Sequence, residues 1–490
     1  MKKSKVFLLA AVGLLSVGVL TACSSSSKTS GKTYNYVYGG DPATLDYVST
    51  NKKNMTTAVS NGVDGLFEND QYGNLKPSVA ENWSVSQDGL TYTYKIRKGV
   101  KWYTSDGEEY ANVTAKDFVT GLKHAADTNS EAIYLLQNSV KGLNDYLSGA
   151  NKDFSNVGIK AVDDYTLQYT LSQPEPYWNS KLTYSVTWPV NGDFLKSKGK
   201  DFGKSTDPTS ILYNGPYLLK ALTTKSSIEF TKNENYWDKD HVYFDNIKLT
   251  YDDGSDQESL ERNFTDGVYN LARLFPTSSN YSKVEKQYKD NIFYTQPGSA
   301  VEGVGINIDR QTYGHTSKEN DQQKTSTKTA LLNKDFRQSL GFAIDRTNYA
   351  AQLNGKEGGS TAVRNIFVKP DFVQADGKDF GTMVMDQLPA YGDEWSGVNL
   401  ADSQDGLYNP EKAKAEFAKA KEALQAEGVQ FPIHLDVPVN QSNKIFVNQV
   451  QSLKQSIESA LGKDNVVLDL HQLSTDDFYN ITYSASNAAA

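Results

Sequence analysis

A single cysteine, Cys23, occurs among 490 residues. No disulfide framework is possible, and beyond Cys23 no thiol remains for catalysis. Histidine is nearly as scarce: His124, His241, His315, His434 and His471 lie scattered along the chain. His434 and His471 fall on adjacent predicted strands and could approach each other. Two imidazoles without a third ligand make a weak metal centre, so neither metal nor cofactor is expected. The chain has no Gly-x-Gly-x-x-Gly, no Walker loop, no His-Glu-x-x-His and no Gly-x-Ser-x-Gly. Its paired acids, Asp163-Asp164 and Asp252-Asp253, sit in turns, where aspartate satisfies backbone N–H groups. A glycosidase or protease is therefore unsupported. These absences point to a binder, not an enzyme.

What is present bounds the class further. The length exceeds what one core usually holds and suggests two or three domains. Thirty tyrosines offer apolar faces with polar tips, most of them expected on half-buried strands. Lys2, Lys3 and Lys5 precede an apolar run from Val6 to Leu20 that is too short to span a bilayer. With Leu20-Thr21-Ala22-Cys23 behind it, residues 1–22 read as a secretory signal peptide. The same four residues resemble a bacterial lipobox, which implies diacylation of Cys23 and a durable membrane anchor. The alternative is an ordinary signal peptide beside an incidental cysteine. Residues 23–33 would form a flexible tether. Three of the 50 basic residues precede Cys23, leaving 47 against 59 acidic ones, a balance of −12. That argues against nucleic acid as a partner.

The most informative stretch runs from Ala80 to Val119. Asp88-Gly89 turns the chain into an alternating strand, with Leu90, Tyr92, Tyr94 and Ile96 on one face. Trp102 is expected in a core, between that strand and a second turn at Asp106-Gly107. Thr114 then caps a helix with Asp117 in its first turn. Upstream, Tyr34 to Tyr38 alternates as a strand and Thr57 to Phe67 reads as a helix. Downstream, Tyr134 to Leu147 reads as a helix and Ile159 to Leu171 as two strands about an Asp-Asp turn. A hairpin follows over Tyr217 to Thr231, and Ile247 to Tyr251 is a strand. Thr316 to Lys328 reads as a polar loop, and Asp335 as a helix cap. Asn409 and Pro410 open a helix that Gly428 stops. Strand Ile433–Val437, a helix through Phe446 to Ile457, and strand Val466–Leu470 then form a right-handed parallel crossover.

The string Ala80-Glu81-Asn82-Trp83, Asp88-Gly89-Leu90-Thr91-Tyr92, Arg97-Lys98-Gly99-Val100-Lys101-Trp102 and Thr114-Ala115-Lys116-Asp117-Phe118-Val119 resembles the signature of the peptide- and nickel-binding family of solute-binding proteins. Leu45-Asp46-Tyr47 is similar to the family's Leu-Asp-Pro turn, departing at the proline, and Asn233 to Asp238 resembles another landmark. The likeness is closest to the Ali/Ami-type oligopeptide-binding lipoproteins of Gram-positive bacteria, in an AliB-like pattern. It implies an α/β, two-lobed periplasmic-binding-protein-like fold (type II, cluster C) with an inserted region. Residues 34–59 and 206–303 would belong to lobe I, 60–205 to the inserted region II, and 304–490 to lobe III. It further implies a monomer on the outer membrane face, with oligopeptides and ABC permease subunits as partners.

Carried over by position, Asn51, Lys52 and Lys53 fall where main chain touches ligand, and Tyr134 where an aromatic lines the cleft. Asn440 and Gln441 follow a strand's carboxyl end, a favoured place for ligand in an open α/β lobe. Each has an alternative: a solvated turn for Asn51 to Lys53, helix core for Tyr134, an N-cap for Asn440-Gln441. A family Trp-x-x-Asp-Tyr-x-x-Pro segment, whose aspartate holds the peptide's α-ammonium, has no match here. The fold is accordingly expected to be incomplete at the C-terminus. The alternative function is a truncated surface lipoprotein that binds a peptide signal or host molecule without transport.

Overall fold

The computed structural model describes residues 32–293 and 301–482. Cys23 and the leader lie outside the described residues. The chain divides into two compact units, residues 1–253 and 254–490. Among the described residues, no helix is long and apolar enough to cross a membrane.

Unit one contains two four-stranded sheets. In the first, β1 (Thr33–Tyr38) lies at an edge; the second begins with β2 (Ala80–Val85) and β3 (Thr91–Ile96). Asp88 builds the tight turn between β2 and β3: its carboxylate accepts from the N–H of Leu90 at 3.0 Å. Gly89 takes φ +71°, which L side chains rarely adopt. Alternation then buries Tyr92, Tyr94 and Ile96 and leaves Lys95 exposed. Trp102 is fully buried, and its indole N–H donates to Asp117 at 3.1 Å. Asp117 also accepts from the N–H of Thr114 at 2.8 Å, capping α2 (Ala115–Asp127). Strands β4 (Ile159–Asp163) and β5 (Thr166–Thr170) complete this antiparallel sheet in the order β2-β3-β5-β4. β6 (Tyr217–Thr223), β7 (Ser227–Lys232) and β8 (Asn246–Tyr251) complete the other, where β1 pairs parallel to β8.

Two helices expected in this unit are cut short by tertiary pairing. The first helix, α1, covers Lys53–Val59, upstream of most of the expected Thr57–Phe67 span. Beyond it the carbonyl of Gly62 accepts from the N–H groups of Asn214 and Gly215 at 3.1 and 2.9 Å. A Cβ on Gly62 would lie 2.8 Å from the Tyr213 ring, so only glycine allows that approach. The expected Tyr134–Leu147 helix is a single turn at Ile133–Leu135 and a short helix at Leu143–Leu147. Between them Lys141 donates to the Thr170 carbonyl at 3.0 Å, so the backbone serves the sheet instead.

Unit two packs helices around a parallel pair of strands. α3 (Asp321–Leu332) replaces the expected loop, because Asn320 caps it and Ala330 and Leu331 enter the core. Asn333, two residues before the expected Asp335, caps α4 (Lys334–Ala343). α5 (Pro410–Ala426) starts at Asn409, as its Asn-Pro signal requires, and buries Ala413, Phe417, Ala420 and Leu424. β9 (Ile433–Asn440), α6 (Lys444–Leu461) and β10 (Val466–Leu473) form the expected crossover, and α7 (Thr475–Thr482) follows. Ile433, Leu453, Ile457 and Val466 join Phe336 and Phe417 in one core.

Candidate functional site

The candidate residues fall into two places, one in each unit. In unit one, Leu45, Tyr47 and Val48 are buried and fix the chain before it surfaces. Tyr47 stands where a proline was expected; its ring packs on Trp188 and Phe202, and its hydroxyl donates to the Pro189 carbonyl at 2.8 Å. The next polar residues, Asn51, Lys52 and Lys53, are exposed just where α1 begins.

Glu131 holds this rim. Its N–H donates to the Ser49 carbonyl at 3.0 Å, and its carboxylate accepts a short hydrogen bond from the Thr50 hydroxyl. The Lys52 ammonium pairs with the other oxygen at 3.2 Å. Burial pushes the Glu131 carboxyl up, but the Thr50 and Lys52 donors outweigh it and hold the group below its ordinary range. Tyr134 follows in the short turn Ile133–Leu135 and is 59% exposed, which removes the helix-core alternative. Thr50 and Lys52 thus meet on one carboxylate, which Tyr134 follows by three residues. Sequence reasoning missed Glu131, since nothing in the Thr-Asn-Ser-Glu run marks a contact 81 residues away.

In unit two, Asn440 ends β9 and Gln441 leaves the sheet, its N–H donating to the Leu473 carbonyl at 3.0 Å. The Asn440 carboxamide oxygen accepts from the Ser442 N–H at 3.0 Å and the Thr475 hydroxyl at 3.4 Å. Asn443, not Asn440 or Gln441, caps α6. Asn440 and Gln441 therefore sit in a crossover loop at the strands' carboxyl ends, apart from the rim residues in sequence and in unit.

Beneath that loop lies a buried ionic cluster. Asp436, fully buried, accepts from Arg310 at 2.5 Å, Lys318 at 2.7 Å, the Thr316 hydroxyl at 2.7 Å and the Ser317 N–H at 2.9 Å. Burial raises this carboxyl, but those donors prevail and hold it well below the usual range. In the parallel register Asp436 faces Asp469, and each pairs diagonally with a histidine: His471 with Asp436 and His434 with Asp469, both at 2.8 Å. The two histidines thus engage carboxylates instead of each other. Among the described residues, no group of three or more His, Cys, Asp or Glu side chains could hold a metal ion.

Chemically, the rim offers ammonium groups, a carboxylate, a carboxamide and an exposed phenol ring. Such groups bind by hydrogen bonding and stacking.

Comparison with known proteins fixes the relationship. The family described as "Bacterial extracellular solute-binding proteins, family 5 Middle" matches residues 74–479. Oligopeptide-binding protein AmiA of Streptococcus pneumoniae serotype 4 is 67% identical over 493 residues, covering 100% of this chain and 75% of the relative. Oligopeptide-binding protein AliB of the same organism is 58% identical over 490 residues, with the same coverage. Among solved structures, Listeria monocytogenes OppA bound to peptide superposes with TM-score 0.68 at 23% identity, covering 94% of this chain and 80% of that one. The substrate-binding domain of an oligopeptide ABC transporter from Bacillus anthracis gives TM-score 0.69 at 21% identity, covering 94% and 78%. These establish the α/β, two-lobed periplasmic-binding-protein-like fold. With both the signature stretch and the crossover inside the matched span, the chain belongs to the family 5 bacterial extracellular solute-binding proteins.

Proposed function

We propose that this protein is a lipid-anchored extracellular receptor that binds oligopeptides and delivers them to the membrane subunits of an ABC importer. The observation that carries the reading is 67% identity, along the whole chain, to a protein named for oligopeptide binding. The proposed contacts are Asn51, Lys52, Lys53 and Tyr134 on the rim and Asn440 and Gln441 at the strand ends. Polar groups of this kind suit a peptide main chain, whose N–H and C=O groups are the same in every sequence. Water-filled surroundings would then tolerate varied side chains. Lobe I is assigned to residues 34–59 and 206–303, region II to 60–205, and lobe III to 304–490.

Mass spectrometry of peptides that copurify with the protein, followed by calorimetric titration with those peptides, tests the binding role. A preparation that carries no peptide and gives no heat with a mixed peptide pool overturns it. Anchoring is tested by Cys23→Ala, which should release the protein into the medium. Unchanged membrane retention would show that lipid on Cys23 is not the anchor.

A further inference from the structure

Unit one has an exposed aromatic face where the chain enters the fold. Lys32 is fixed there by two hydrogen bonds. Its N–H donates to the Asp245 carboxylate at 2.7 Å, and its carbonyl accepts from the Asp245 N–H at 2.8 Å. Next to that clamp Tyr243 is 71% exposed and Phe244 38% exposed. The Phe244 ring lies 5.5 Å from that of Tyr34, the second residue of β1, and Tyr34 lies 6.4 Å from Tyr36. Tyr217 holds the backbone beneath, its hydroxyl donating to the Phe244 carbonyl at 2.9 Å. Water therefore meets two large rings backed by further rings, not one isolated apolar side chain.

Position says what covers these rings. Lys32 is nine residues beyond Cys23. Nine residues reach about 30 Å at full extension. A lipid on Cys23 thus keeps the face within that distance of a bilayer, at an effective concentration on the order of mM. A contact too weak to hold a free protein is occupied under those conditions.

We propose that Tyr243 and Phe244, backed by Tyr34, rest on the bilayer surface and fix which side of the anchored receptor faces it. The assignment rests on the anchoring reading given above. Aromatic rings suit the headgroup level, where the ring is buried and a phenol hydroxyl stays wet. Charge does not drive the contact. Lys32, Lys239 and His241 are matched by Asp238, Asp240 and Asp245, with His241 and Asp238 2.6 Å apart. The face therefore needs no anionic lipid, and salt leaves its contact in place.

The amides of Tyr243 and Phe244 report the contact, because among the described residues neither N–H donates to a protein acceptor. For the test, the mature chain is coupled through Cys23, its one thiol, to a maleimide-headgroup phospholipid in phosphatidylcholine vesicles. Hydrogen exchange at these amides should slow about threefold or more against the uncoupled chain mixed with the same vesicles. The slowing should be alike in about 0.05 M and about 0.5 M salt. Tyr243→Ser with Phe244→Ser, and the more exposed Tyr243→Ser alone, should reduce it, with thermal unfolding confirming that the variants fold. No slowing overturns the proposal, as does slowing that both folded variants retain. Slowing that high salt abolishes also overturns it, as does slowing confined to Lys196 to Lys204, where four lysines stand against one aspartate. The coupling supplies the lipid, so the outcome does not depend on whether Cys23 is acylated. Membrane retention of Cys23→Ala tests that separately, and the two readings fail apart.

Discussion

Asp64 and Asp117 in unit one and Asp436 in unit two are enclosed carboxyls shifted in opposite directions. In unit one, Asp64 and Asp117 meet neutral donors, a tyrosine hydroxyl at 2.8 Å and a tryptophan N–H at 3.1 Å. Burial therefore prevails, and the groups are pushed up to about 7 and about 6. In unit two, Asp436 is fully buried but meets Arg310 and Lys318, and it is held anionic. The difference teaches that burial alone does not set the charge of a carboxyl. The partners decide how far it is opposed: neutral donors pull Asp64 and Asp117 down without outweighing burial, whereas Lys318 and the other donors around Asp436 outweigh it.

The two largest expected effects lie on opposite sides of this comparison. Trp102→Ala empties a fully buried site and takes a donor from Asp117, and should cost about 3–5 kcal/mol. Asp436→Asn leaves Arg310 and Lys318 buried without their counter-charge and should cost a similar 3–5 kcal/mol, about as much as breaking other buried pairs. Denaturant unfolding measures both. Hydrogen exchange places them: lost protection should centre on unit one for the tryptophan and on unit two for the aspartate. Loss centred in the other unit would break the assignment.

The next effect is on pH dependence, and its sign differs between the units. Asp436 lies below its unfolded value, so its contribution is full above the ordinary carboxylate range and is lost as pH falls. Asp64 and Asp117 lie above theirs, so their contribution is full below about pH 4 and is lost as pH rises through about 6 and 7. Thermal unfolding across this range should therefore show Asp64→Asn flattening the neutral side and Asp436→Asn flattening the acid side. A variant that leaves its own side unchanged would show that other groups govern it.

The smallest effect belongs to the rim. Glu131 is 46% exposed in its side chain and Lys52 65%, so Glu131→Gln should change stability by only about 0.2–1 kcal/mol. Peptide affinity is the sharper readout, because Thr50 and Lys52 would lose the group that holds them. Unchanged affinity would show that the rim needs no such support.

Much of the fold was legible wherever a local pattern carried it. Tyr92, Tyr94 and Ile96 alternate, Thr114 and Asn409 start helices, and Gly428 stops one at φ +79°. The crossover of β9, α6 and β10 was equally plain, because its apolar runs and its period both point to one arrangement. The helix at Asp321–Leu332 was not, since its sequence is polar and only Ala330 and Leu331 go deep among its apolar residues. Of the candidate site, the exposed positions Asn51 to Lys53 and Tyr134 could be named but not joined. The Glu131 carboxylate that holds Thr50 and Lys52 reaches them by a contact that no short-range pattern encodes.

The sequence by itself determined the elements whose signals lie within a few residues: turns at Asp88-Gly89, caps at Thr114 and Asn409, and the strand alternation of Tyr92 to Ile96. It also determined the family, through a string of residues long enough to be specific. The tertiary structure alone decided where helices yield to sheet pairing, as at Gly62 and Lys141. It alone brought Arg310 and Lys318 to Asp436 across 126 and 118 residues, and Tyr236 to Asp64 across 172. The physical reason is range. Backbone preference is set by near neighbours, whereas the charge and partners of a buried polar group are set by whatever the fold packs against it.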